Sequence, residues 1–298
     1  MNRLGLILSA ILMLTASAGS ATAQTRAKLG DNAALRYWSA FAQMQDSAIT
    51  DEQAKALNLI LDGTAPYDDS KYKDLVEKNR PALETMIRGT ALPVCDWGLD
   101  YQLGPETPVD YVRKALELGR LNVLYSFHLL IAHDQDDAVR TLAAGLRFSH
   151  DVANGGTLFA TLVAKKLITE HIRAISFALH VDDLSAAQKS TLQKAVIQLG
   201  PDGLDWGAAM KRELGVLRSP VRTPDGSLPL DSKSLAALAK VIPSYAAILT
   251  DPSLLAGLQE TIAAAPKQLA DIIPNPKRVL EEKQDLTDKL EQIRSLLQ

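Results

Sequence analysis

One short stretch of this chain combines residue types that can do chemistry. Residues 95–98 read Cys-Asp-Trp-Gly, and Cys95 is the only cysteine of the 298 residues. A thiol whose pKa is lowered by its surroundings can act as a nucleophile or as a redox contact. The alternative is a structural plug, in which Trp97 packs on helices, Asp96 caps backbone amides and Gly98 permits a turn. Because no general base is adjacent in the sequence, the pattern favours the plug.

Histidine is the next residue type suited to acid–base or metal chemistry. His128 and His133 are five residues apart, about 140° around a helix, and this spacing does not support a metal site on one helix. His128 could still converge with His150 or His171 and an acid such as Glu170, although a surface position or a satisfied interior position is the ordinary interpretation. The sequence predicts neither a metal nor a cofactor. The residues of the candidate ligand or thiol site are Cys95, Asp96, Trp97 and His128.

The motifs of common enzyme classes are missing from the sequence. It contains no G-x-S-x-G nucleophile elbow, no H-E-x-x-H zinc motif and no G-x-x-x-x-G-K phosphate loop. The acidic run at residues 134–137 suggests calcium, but the twelfth position of such a loop is Gly145 rather than a glutamate. Helix capping explains this run better. These absences favour a protein that is not an enzyme.

Residues 1–23 have the three-part layout of a secretory signal peptide. Arg3 supplies the positive start, an apolar run extends from Leu4 to Leu14, and the segment ends in Ala-Thr-Ala at Ala23. The apolar run has about eleven residues, whereas a helix that spans a bilayer needs about 20. We therefore expect cleavage after Ala23 and a destination in the periplasm or outside the cell, with no transmembrane segment left after cleavage.

The charge of the chain argues against a nucleic-acid partner. Loss of residues 1–23 removes Arg3 and leaves 31 basic and 35 acidic residues, and no stretch is strongly basic. Binding to a phosphate backbone relies on clustered Lys and Arg side chains, which this pattern does not provide.

Apolar residues recur at helical spacing over most of the chain after residue 23. Aromatic residues make up only 5% of the composition, and Ala and Leu are abundant, which favours helix over strand. The predicted fold class is all-α, with stacked antiparallel helical hairpins that form an α-solenoid-like array or an irregular bundle. In the first helix, the buried face is expected to carry Leu35, Trp38, Phe41 or Ala42, and Met44. Capping boxes are expected at the helix starts marked by Thr50 and Ser185.

Prolines guide the predicted division of the chain. Because proline lacks an amide hydrogen, two short helices are expected on either side of Pro81, and another helix is expected to begin near Pro243. Residues 219–231 hold three prolines and a strong turn signal, which indicates a boundary. The expected parts are a signal peptide (1–23), a helical-hairpin domain (24–218), and Pro-punctuated short helices with a C-terminal helix packed on that domain (219–298).

Three segments resemble an uncharacterised group of exported, helix-rich bacterial proteins. They are the start at residues 32–41, which follows the pattern NAAxxYxxAF, the Cys-Asp-Trp-Gly loop, and the amphipathic stretch at residues 112–175. Residues 122–150 also resemble a degenerate tetratricopeptide hairpin, with no second copy in the chain. The resemblance implies a stacked-helix fold and assigns no catalytic residue.

Two functions are compatible with this sequence. The leading hypothesis is a non-enzymatic scaffold that binds a protein or peptide partner, because stacked helical hairpins leave extended grooves. The alternative is an exported enzyme or small-ligand binder whose site lies near Cys95 and Asp96 together with histidines carried by helices.

Overall fold

The computed structural model of the protein describes residues 29–45, 49–181, 183–219 and 230–298. Within these ranges the chain forms twelve α-helices and no β-strand, so the prediction of an all-α fold is confirmed. The predicted signal peptide lies outside the described residues. The α-helices are α1 (Ala33–Gln43), α2 (Asp51–Leu61), α3 (Asp69–Thr90), α4 (Tyr111–Ile131), α5 (Gln135–Ala153), α6 (Leu158–Val181), α7 (Ala186–Gln198), α8 (Trp206–Val216), α9 (Ser232–Thr250), α10 (Leu255–Ala263), α11 (Lys267–Ala270) and α12 (Pro276–Leu296).

Three long helices form the centre of the fold. α5 packs against α4 and against α6, and α4 also contacts α6. The connections span only residues 132–134 and 154–157, so consecutive helices run antiparallel. The facing sides bury large apolar side chains such as Leu121, Phe127 and Leu142. α3 packs on α4 and α5, and α1 packs on α3, so the hairpins extend into a bundle.

The first helix buries a face that matches the predicted one only in part, since Phe41 is buried as expected. Leu35 and Trp38 are exposed, whereas Ala34 and Tyr37 are buried. Gly89 of α3 lets α1 approach closely, because a Cβ at this position would lie only 2.8 Å from the Tyr37 ring. The apolar pattern did not distinguish the two faces because both carry apolar residues.

The helix starts that were predicted from capping side chains agree with the structure. The capping boxes predicted at Thr50 and Ser185 are both present. Asp134 caps α5 by accepting a hydrogen bond from the amide of Asp137 at 3.3 Å. The acidic run at residues 134–137 therefore serves the start of a helix, where negative charge is favourable.

Two of the proline predictions are wrong. Pro81 lies inside α3 and Pro243 inside α9, and each helix continues through its proline. An interior proline removes one helical hydrogen bond and costs about 3 kcal/mol. α3 offsets this cost because it buries side chains both before and after the proline, such as Val76 and Leu83, while Pro81 itself is exposed.

The C-terminal helix α12 packs against α6 and α7. Leu286 and Leu290 of α12 are fully buried. Lys165 of α6 forms ion pairs with Glu282 and with Asp285 of α12, the second at 2.6 Å. The boundary expected near residue 219 stays a prediction. None of the helices in the described ranges is both long and apolar enough to span a membrane.

Candidate functional site

The loop at residues 95–98 is anchored to the C-terminal end of α5. The indole Nε1 of Trp97 donates to the backbone carbonyl of Asp151 at 2.8 Å, and the thiol of Cys95 donates to the same oxygen at 3.7 Å. The last four backbone carbonyls of a helix accept no hydrogen bond from an amide of the same helix. The loop supplies donors to one of them, and both side chains are thereby fixed in the interior.

Two asparagines hold the backbone of this loop. Asn32 accepts from the amide of Asp96 at 2.9 Å and donates to its carbonyl at 2.8 Å, while Asn154 donates to the carbonyl of Cys95 at 3.0 Å. The carboxylate of Asp96 accepts from the amide of Gly98 at 2.9 Å. Gly98 has a φ of +68°, which glycine adopts without strain. These contacts are the ones that the plug interpretation predicts.

Trp97 belongs to an aromatic cluster that joins the loop to two helices. Its ring stacks on Tyr111 of α4 with 4.1 Å between centroids. The rings of Tyr37 and Phe41 of α1 lie 5.7 and 6.1 Å away. Aromatic pairs of this kind contribute about 0.5–1.5 kcal/mol beyond the burial of their surface. The loop, α1 and α4 therefore share one core.

A buried carboxylate beneath the loop was not singled out by the sequence pattern. Asp151 is fully buried, and its carboxylate accepts the hydroxyl of Tyr37 at 2.7 Å. Arg147 lies one turn earlier on α5 and places Nε 3.1 and 3.2 Å from the two oxygens. The spacing of Arg147 and Asp151 was the available local signal. Tyr37 is 114 residues away in the sequence, so no local pattern could indicate it.

The surroundings of Cys95 keep its thiol protonated. Burial, and then the charge of Asp151, raise the pKa of the Cys95 thiol well above its usual range. The same two causes raise the pKa of Tyr37. A nucleophilic or redox-active cysteine instead needs a lowered pKa and access to its reactant. The geometry therefore supports a structural role for Cys95 and gives no support to a thiolate nucleophile.

His128 lies in a different cluster from the loop at residues 95–98. Its Nδ1 lies 2.8 Å from Oδ1 of Asp69, and its Nε2 lies 3.5 Å from Oε1 of Glu77. The hydroxyl of Tyr67 donates to the same Asp69 oxygen at 3.1 Å. Both carboxylates belong to α3. The structure thus keeps the three candidate residues of the loop together and places the fourth, His128, against another helix.

A second polar cluster is buried where α4, α5 and α6 meet. His171 is fully buried, with Nδ1 2.8 Å from the carbonyl of Leu167 and Nε2 3.0 Å from the side-chain amide of Asn122. Burial lowers the pKa of His171 to about 4, so the ring is neutral at pH 7. Gly145 leaves room for the ring, since a Cβ there would lie 2.1 Å from Nε2. A neutral ring has only one N–H to donate, so His171 is an interior histidine that can satisfy one of these two oxygen acceptors.

An open groove of about 650 Å³ lies between the end of α3, α5 and α7. Its cationic lining residues are Arg140, Arg147 and Lys194, and among the described residues no Asp or Glu lines it. The rest of the lining is largely apolar and includes Ile87 and Leu92. Leu92 and Pro93 line one wall of this groove and lie just before the anchored loop in the sequence.

Comparison of the chain with models of protein families, with curated proteins and with solved structures finds no match. The resemblance to exported helix-rich proteins therefore stays a prediction. Among the residues that the structure describes, no group of three or more His, Cys, Asp or Glu side chains is placed to hold a metal ion. Fold and surface together define an all-α protein with an open groove that is lined by three cationic side chains.

Proposed function

We propose that this protein is an exported, non-enzymatic helical scaffold that binds an acidic, partly apolar peptide segment of a partner protein. The observation that supports this function is the lining of the groove between α3, α5 and α7, where three cationic side chains and an apolar surface occur without a carboxylate. A peptide that carries both acidic and apolar side chains matches both features. Charge complementarity of this kind favours one class of partner over others.

The three cationic side chains of the groove differ in their availability. Arg140 pairs with Asp137 at 3.0 Å, and Arg147 pairs with the buried Asp151. Lys194 is exposed and has no ion-pair partner among the residues of the described ranges. Lys194 is therefore the side chain on which recognition of a peptide carboxylate depends most.

Fluorescence polarisation with two labelled decapeptides tests the groove. One peptide alternates Glu with Leu, and the other alternates Lys with Leu. We expect only the acidic peptide to bind, and we expect added salt to weaken it because exposed charges are screened. Lys194→Glu should weaken binding by about tenfold or more, since it places a like charge opposite the peptide. Lys78→Glu makes the same charge change at an exposed position of α3 outside the groove and should have little effect.

Equal binding of the two peptides, or an unchanged affinity of the Lys194→Glu variant, would refute this groove as the binding site. In cells, a photoreactive amino acid at Ala143 in the groove identifies the partner, with Lys240 of α9 as the control position. The expected adduct forms at Ala143 alone, is lost in Lys194→Glu, and joins Ala143 to a segment rich in Asp and Glu.

Export is supported by the layout of residues 1–23. We expect the mature chain to begin at Gln24 and to be recovered outside the cytoplasm, which mass spectrometry of cell fractions measures. Ala23→Asp should block cleavage because the site requires a small residue. A chain that keeps its first residues and stays in the cytoplasm would remove export from the proposal and leave peptide binding to be judged by the groove experiments.

A further inference from the structure

A second cavity lies between α6 and α12 and shares no lining residue with the groove. Its volume of about 370 Å³ falls within the range of roughly 300–1,000 Å³ that small-molecule sites occupy. Eight of its eleven lining residues are charged. Such a composition suits a small polar ligand rather than an apolar one.

Two polar atoms at this cavity lack hydrogen-bond partners. Glu170 is only 3% exposed, and Arg120 and Lys166 both contact its Oε1, at 3.3 and 3.7 Å. Its Oε2 has no partner among the described residues, and neither does the buried Oγ1 of the adjacent Thr169. An unpaired carboxylate oxygen in the interior is unfavourable. The carboxylate of Glu170 can therefore gain a hydrogen bond from a ligand that carries a donor group.

The same cavity carries an excess of positive charge. Five of its lining side chains are cationic and three are anionic. Lys165 already pairs with both Glu282 and Asp285, Arg173 pairs with Asp62 at 2.8 Å, and Lys289 pairs with Asp285. Arg278 is exposed and has no ion-pair partner in the described part of the chain. An arginine fork of this kind favours a carboxylate on the ligand.

The geometry points to an acidic amino acid as the ligand of this cavity. Its ammonium group donates to the carboxylate of Glu170, one carboxylate meets Arg278, and the other meets Lys166, whose contact with Glu170 is long at 3.7 Å. A dicarboxylate without an ammonium group leaves Glu170 unpaired and is repelled by it. An amino acid without a second carboxylate leaves part of the positive charge unmatched. This site is additional to the peptide groove and does not depend on it.

Calorimetric titration of the mature chain with four separate compounds tests the assignment. L-Aspartate and L-glutamate carry all three groups, succinate lacks the ammonium group, and L-alanine lacks the second carboxylate. We expect at least one acidic amino acid to bind, and succinate and L-alanine to bind at least about tenfold more weakly. Absence of binding by both acidic amino acids, or equal binding of succinate, overturns the assignment.

Single substitutions test whether the acidic amino acid binds in this cavity. Arg278→Ala should weaken binding of the acidic amino acid by about tenfold or more, and it removes an exposed side chain without an internal ion pair. Arg36→Ala changes an exposed arginine that does not line the cavity and should leave the affinity unchanged. An unchanged affinity of Arg278→Ala overturns the site. Lys194→Glu should not alter amino-acid binding, which separates failure of this site from failure of the peptide groove.

Discussion

At the scale of single residues, burial decides what Cys95 can do. Cys95 is 6% exposed, and its raised pKa keeps the thiol protonated. We expect iodoacetamide to alkylate the native protein slowly and the urea-unfolded chain quickly. Cys95→Ala should lower the free energy of unfolding by about 1 kcal/mol through lost burial, without changing the affinity for an acidic peptide. Rapid alkylation of the native protein would contradict the structural role.

His171 is expected to make stability depend on pH. Burial lowers its pKa from 6.5 to about 4, so between these values the unfolded chain binds a proton that the folded chain does not bind. The contribution of the neutral ring is complete above a pH of 6.5 and is lost as the pH falls towards 4. The free energy of unfolding should decrease over this window by about 3 kcal/mol.

Urea unfolding at a series of pH values measures this dependence. His171→Gln should lose most of it, whereas His180→Gln, a change at an exposed histidine, should keep it. If the His171 variant does not fold, NMR titration of the His171 ring in the unaltered protein provides the same information. A His171 pKa near 6.5 would show that the ring is not desolvated.

At the scale of helices, Pro81 is a local defect that burial outweighs. It lies inside α3 on the exposed side, and it has no amide hydrogen to donate to the carbonyl of Glu77. Pro81→Ala restores that hydrogen bond, although it also increases the conformational entropy of the unfolded chain, which offsets part of the gain. We expect the free energy of unfolding to rise by about 1–2 kcal/mol. Urea unfolding measures the change.

The control for Pro81 is Pro252→Ala. Pro252 is also exposed, but it is the first residue of a short 3₁₀ helix (Pro252–Leu254), where no helical hydrogen bond is lost. This variant should gain no stability. Equal gains in both variants would show that the effect does not come from the interior position of Pro81.

Helix type and the helix starts marked by capping boxes could be predicted from the sequence, whereas the helix boundaries at Pro81 and Pro243 and the arrangement around the candidate site could not. Thr50 and Gln53 form their capping box with each other, so neighbours in the sequence contain all the information. The buried face of α1 depends on its close approach to Gly89. The hydrogen bond between Asp151 and Tyr37 joins residues that are 114 positions apart in the sequence. The groove likewise joins α3, α5 and α7. Such features depend on tertiary packing, which periodicity does not encode.

At the scale of the whole molecule, α12 completes the core. Its buried face includes Leu286 and Leu290, and its carboxylates neutralise the mostly buried Lys165. A chain that ends at Asn275 exposes the apolar surfaces of α6 and α7 and leaves Lys165 without either partner. We expect this shortened chain to aggregate and to lose cooperative unfolding, because an exposed apolar surface and a buried unpaired charge are both unfavourable.

Light scattering and urea unfolding compare the two chains. A chain that lacks only Gln298, which is exposed, is the matched control and should behave like the full chain. If the chain ending at Asn275 were monomeric and unfolded cooperatively, α12 would be an appendage rather than part of the core.

The hydrogen bond between Tyr37 and Asp151 also bears on the order in which contacts form while the chain is being synthesised. A ribosome releases the chain from its amino end, so α1 emerges long before Asp151 has been synthesised. Until then neither the hydroxyl of Tyr37 nor the indole of Trp97 has its acceptor. α1 can already pack on α3 at that stage, but the hydrogen bonds that fix Tyr37 and Trp97 form only after α5 has been synthesised.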